Sequence, residues 1–122
     1  MITSVATFQQ RYRDMVRSML QEVMQRPRMY FQTVAELETL TWGHFMACAQ
    51  LLSDDCGPSF PRAFADFLGF HNVIESGAAG YAVALEATSE RDGRSTEQLF
   101  WHWSTIFLTE WCSETGPTAS SE

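Results

Sequence analysis

Residues 33–52, reading TVAELETLTWGHFMACAQLL, constrain the fold more than any other stretch. Thr33 with Glu36 three residues on is a capping box, in which a hydroxyl and a carboxylate satisfy amide donors that a helix start leaves without partners. Beyond it, Leu37, Leu40, His44, Cys48, Leu51 and Leu52 fall on one stripe, and Val34, Trp42, Phe45, Met46 and Ala49 carry apolar character round most of the cylinder. A helix apolar nearly all round is expected at the centre of a bundle. Gly43, His44 and Gln50 interrupt it too often for a membrane span, which takes about 20 predominantly apolar residues.

Other segments keep the same period. Residues 8–25 place Phe8, Tyr12, Met15, Val16, Met19, Leu20, Val23 and Met24 on a stripe almost five turns long, opened by Thr7 and Gln10 at capping-box spacing, with Arg13 and Arg17 on the wet face. Arg26-Pro27 ends that helix, because proline lacks the amide donor and disfavours helix in the residue before it. Residues 53–58 stop the central helix with acidic turn formers, Gly57 and Pro58. A short helix over 61–68 follows, with Phe60, Phe64, Phe67 and Leu68 on one side. Residues 73–88 fit either a helix of small residues or a strand; their alanines favour helix. Ser95 with Gln98 caps a last helix over 96–112, whose Leu99, Phe100, Trp103, Ile106, Phe107, Glu110 and Trp111 fall on the buried side. The expected fold is all-α, a single domain over 1–112 of four to five helices around the central apolar one, with a disordered tail over 113–122.

The chain's 45% hydrophobic and 13% aromatic content sustains a core without a disulfide or metal staple. Its formal charge of −7 divides unevenly: residues 1–28 hold five arginines and two acids, residues 29–122 three arginines and thirteen acids. So acidic a surface repels phosphate backbones and speeds docking to a basic protein, so no nucleic-acid partner is expected. The three cysteines, Cys48, Cys56 and Cys112, lack CxxC spacing, and no basic segment followed by an apolar run opens the chain. A cytoplasmic protein with reduced thiols and no membrane partner is the expectation.

Chemistry-bearing residues form no catalytic constellation. His44 and Cys48, four apart, share a helix face as two metal ligands would, but nothing in the sequence supplies the other two, and His44 reads as a core histidine. Asp54 and Asp55 put Cys56 in a negative field that disfavours a thiolate nucleophile. Gly77-Ala78-Ala79-Gly80 matches neither a P-loop nor a dinucleotide fingerprint. No enzyme activity, metal or cofactor is expected. In Phe100-Trp101-His102-Trp103 the two tryptophans point about 200° apart on a helix, so one should be exposed. Exposed tryptophan is enriched in binding hot spots. Trp101 and His102, with the acids Glu90 and Glu97, form the candidate partner-binding patch.

The run Arg26-Pro27-Arg28-Met29-Tyr30-Phe31, followed by a helix holding Gly43-His44, resembles the RPxMY segment of small bacterial immunity proteins of toxin systems, with Arg28 where glycine is expected. In such proteins a later run of glycine, aromatic and small apolar residues precedes a terminal aromatic helix, and residues 80–85 with 99–111 are similar. The resemblance implies a non-catalytic protein that neutralises a basic toxin domain by covering its active site. Two alternatives stand beside it: an adaptor or homodimer subunit using the methionine-rich face of the first helix, and a small-molecule or metal-binding domain lined by Trp42, His44, Cys48 and Trp103.

Overall fold

The structure, a computed structural model describing residues 5–52 and 56–114, is all-helical over those residues. Five helices of eleven residues or more, α1 (Val5–Gln25), α3 (Val34–Leu51), α4 (Phe60–Phe70), α5 (Tyr81–Asp92) and α6 (Thr96–Glu114), are joined by a single helical turn, α2 (Pro27–Tyr30). Among them no helix is long and apolar enough to cross a membrane. Residues 53–55 of the predicted helix stop, and the predicted tail beyond residue 114, lie outside the described residues, whereas Ser113 and Glu114 belong to α6.

Proline accounts for α2. Pro27 opens this turn at the position where a missing amide donor costs nothing, and the Phe31 amide closes it on the Pro27 carbonyl at 3.0 Å. At the start of α3, Thr33 Oγ1 accepts from the Glu36 amide at 3.2 Å, while the Glu36 carboxylate accepts from the Gln32 amide at 2.7 Å, one residue earlier than a standard box. The α6 box closes in both directions between Ser95 and Gln98. The first helix does not start at Thr7, because α1 is already helical at Val5; the Gln10 side chain donates to Asp14 and to the Cys112 carbonyl.

Residues 73–80 are neither helix nor strand. Asn72 and Gly80 adopt positive φ at either end of the segment, and the two glycines within residues 77–80 weaken any helix there. Val73 and Ile74 are buried as a plug, held by the Thr88 hydroxyl donating to the Val73 carbonyl at 2.9 Å. The predicted helix therefore begins only at Tyr81.

The centre of the core is on α4, not on α3. Phe60 and Phe64 stack at 5.3 Å with planes 11° apart, both fully buried, and Tyr81, Phe100 and Phe107 stand within 5.3 to 6.4 Å of each of them. Helix α3 contributes buried Val34, Leu37, Thr41, Cys48 and Ala49 to the core, packs half-buried Leu40 and Phe45 against it, and leaves Trp42, Met46 and Leu51 exposed. Apolar residues all round a helix do not bring neighbours to every side of it. Ile106 and Glu110 of α6 are likewise exposed, although periodicity puts them on its buried side.

Arg13 also departs from expectation, being 7% exposed rather than wet. Its guanidinium donates to the Trp111 carbonyl at 2.8 Å and lies 4.8 Å from the centre of the Trp111 ring. With Gln10 donating to the Cys112 carbonyl at 2.8 Å, α1 satisfies acceptors at the C-terminal end of α6, where a positive charge is favoured.

Replacing Phe64 with alanine should cost about 3–5 kcal/mol, whereas Val83→Ala on the exposed face of α5 should change stability by less than about 0.5 kcal/mol. Urea denaturation followed by far-UV circular dichroism measures both.

Candidate functional site

A concavity of about 750 Å³ lies between α3, α4 and the loop before α5. Glu38 and Trp42, one turn apart, make the α3 wall. Arg62, Asp66, Gly69 and Phe70 of α4 face them across a floor that includes Pro61 and Ala65, and residues 75–80 close one side. Its volume falls in the range of about 300–1,000 Å³ usual for ligand clefts. Trp42 is 41% exposed and Phe70 81% exposed.

Local sequence builds this groove through one contact. Helix α5 begins at Gly80, whose lack of a side chain leaves the first amides of the helix uncapped from within. Glu38 of α3 supplies the missing acceptor: its Oε1 takes the Ala82 N–H at 3.0 Å. Gly80 has φ +100°, and a Cβ there would collide with the Glu38 carboxylate. Glycine thus meets a backbone requirement and a close approach at the same position. From sequence Glu38 reads as a first-turn residue serving its own helix dipole; it serves the N-terminus of a different helix.

Three carboxylates, Glu38, Asp66 and Glu75, line the groove against one cation, Arg62. Asp66 and Glu75 are exposed and make no ion pair with another described residue. The loop wall, Ser76-Gly77-Ala78-Ala79-Gly80, carries no side chain larger than a hydroxymethyl, and the Ser76 hydroxyl accepts from the Ala78 amide at 3.2 Å. Sequence reasoning missed the groove. Its one signal is the cluster of small residues, whose alanines favour a helix in the sequence.

The four residues of the candidate patch have separate fates. Glu97 is half-buried and paired with Arg28 at 2.5 Å, and Arg28 also lies 4.8 Å over the Phe31 ring. Trp101 is half-buried at 6.5 Å from Phe31 and 4.8 Å from Phe100. The segment of residues 26–31 is thereby pinned to α6, and Glu97 is engaged within the chain. Trp101 also lines a smaller cavity of about 220 Å³ between α1 and α6, with Leu20, Met24 and Leu108. His102 and Glu90 are exposed. Neither Trp101 nor Trp103 is the exposed tryptophan, since Trp103 packs on Phe67 and His71; that position belongs to Trp42.

His44 and Cys48 do come together, with both ring nitrogens 3.7–3.8 Å from the Cys48 sulfur, and the His44 ring stacks 6.3 Å from Tyr12. Trp42 and Trp103 lie elsewhere, on the groove and against α4, so the imagined four-residue pocket does not form. Among the described residues no group of three or more His, Cys, Asp or Glu side chains is placed to hold a metal ion. Burial pushes the Cys48 and Cys112 thiols up, the nearby Cys56 adding to the effect at Cys48, and all three cysteines are buried. Comparison with protein-family models, with curated protein sequences and with solved structures finds no match to this chain.

Removing the cap by Glu38→Ala should cost about 0.5–2 kcal/mol, and Gly80→Ala about 1–3 kcal/mol. Because the new methyl group collides with the very carboxylate that Glu38→Ala removes, the double variant should be more stable than the sum of the two losses implies. Urea titration of the four proteins closes this cycle.

Desolvation holds His44 below its ordinary 6.5. The unfolded chain therefore takes up the proton first as pH falls, and the neutral ring's contribution is complete above about 6.5 and lost below it. Between pH 7 and pH 5 the melting temperature of His44→Gln should fall less than that of the unaltered protein, as read by thermal denaturation.

Proposed function

We propose that this chain is a non-catalytic protein-binding protein of the immunity or antitoxin type, acting in the cytoplasm, which captures a basic toxin domain and covers its active site. The class comes from the resemblance of residues 26–31 and of the regions following them. The observation that carries a binding role is the acidic groove with Trp42 and Phe70 exposed at its walls. Aromatic side chains left half in water beside unpaired carboxylates combine a buried-contact anchor with electrostatic steering. Thiols raised by burial support the absence of a cysteine nucleophile.

The groove replaces the α6 patch as the centre of the contact. Glu97 already holds Arg28, so using it would first break that bridge. The methionine-rich face of α1 offers less to a second copy, because Met15 and Met19 pack against the core and only Met24 stands exposed.

Co-expression with the open reading frames adjoining the gene should yield a stable complex and rescue a growth-arrested cell. Asp66→Lys with Glu75→Lys should weaken that complex by about tenfold or more, while Glu90→Lys should leave it unchanged. Capture unaffected by the first pair and lost with the second variant would return the contact to the α5–α6 side.

A further inference from the structure

The protein-binding reading leaves open what enters the groove, and three of its features bear on that. Its charge is the first: Asp66 and Glu75 are exposed without an ion-pair partner among the described residues, and Arg62 is the one cation in the lining, with Arg91 of α5 acting on Glu75 from outside it. The second is the pair of exposed rings on opposite walls, Trp42 on α3 and Phe70 on α4. An indole face attracts a guanidinium or ammonium group, most strongly where carboxylates stand near it. The third is the loop wall. With only Ser76, Gly77, Ala78, Ala79 and Gly80 along it, no side chain longer than a hydroxymethyl stands between an incoming chain and the wall, while Gly77 and Gly80 turn their Cβ positions onto Ala65 and the Glu38 carboxylate of the protein itself.

We propose, on the basis of that protein-binding reading, that the groove takes an extended segment of the partner protein carrying arginine or lysine side chains, rather than a convex folded face. The segment runs along the loop wall, its cations meet Asp66, Glu75 and the Trp42 ring, and an intervening apolar side chain covers Phe70. A convex folded face would meet the rims at Trp42 and Phe70, whereas a single extended chain fits a concavity of about 750 Å³ between α3, α4 and the loop. The aromatic walls and the small side chains of the loop are independent of the acidic charge and admit the same occupant.

The test uses the full chain and a fluorescein-labelled heptapeptide alternating arginine with leucine, beside a twin alternating glutamate with leucine, read by fluorescence anisotropy. The arginine peptide should bind, more weakly as salt rises, and the glutamate twin should not. Asp66→Lys with Glu75→Lys should weaken binding by about tenfold or more, and Trp42→Ala by about threefold or more. The same charge change placed outside the groove, Glu86→Lys with Glu110→Lys, should weaken it by less than about twofold. Circular dichroism establishes that each variant is folded.

Equal losses in the two double variants would show attraction to net charge alone and overturn the proposal, as would an arginine peptide that fails to bind. If the peptide fails while a captured partner is still lost on Asp66→Lys with Glu75→Lys, the partner presents a folded face, and only the extended segment is refuted. If the peptide binds as described and no partner is captured, the toxin-neutralising reading falls and the chemistry of the groove stands.

Discussion

Phe60 and Phe64, one turn apart on α4, stack on each other with planes only 11° apart, and the other long helices arrange themselves around that pair. Tyr81 brings in α5, Phe100 and Phe107 bring in α6, and Trp111, 6.0 Å from Phe60, carries the contact to the far end of α6. Tyr12 of α1 meets Trp111 edge-on at 5.8 Å. Each ring buries a large apolar area, and rings in edge-to-face contact add to that burial. An eleven-residue helix could not hold this position by its own propensity; it holds it because every face of the aromatic pair is covered.

Burying α4 and α5 raises a second requirement, since a helix start inside a protein needs acceptors for its first amides. Neighbouring helices meet it in part. The Tyr12 hydroxyl accepts from the Phe60 amide at 2.8 Å, where Ser59 also caps locally through the Arg62 amide. Glu38 does the same for α5. At the opposite polarity, Arg13 and Gln10 of α1 donate to the last carbonyls of α6. These long-range caps fix the distances between helices as well as their ends. The buried tyrosine hydroxyls stay protonated across any physiological range, because desolvation pushes Tyr12 and Tyr81 far upward.

The groove follows from the same arrangement. Glu38 holds the start of α5 against α3, the positive φ of Gly80 turns the chain there, and the loop of small residues before it stands beside α4. Trp42, one of the apolar residues that α3 leaves over, then faces that opening. On the proposed protein-binding reading, an exposed aromatic held on a helix wall reduces the ordering cost of capture.

Much of the chain's local structure was legible in its sequence. The boxes at Thr33 and Ser95, the proline break at residue 27 and the helical stripes are local, depending on residues three or four apart, and they determined an all-helical chain with its segments in roughly the observed places. The shared side of Phe60, Phe64, Phe67 and Leu68 was equally plain from their spacing; Phe60, Phe64 and Leu68 are buried and Phe67 is half-buried against the core. Partners distant in sequence were decided only by the tertiary structure. Whether Arg13 is wet depends on the end of α6, ninety-eight positions away, and whether Glu97 is free depends on Arg28. The exposure of Trp42, and with it the groove, depends on which sides of α3 receive a neighbour. Apolar periodicity records that a residue favours burial; only the packed structure decides which of several such residues a finite set of helices has room to cover.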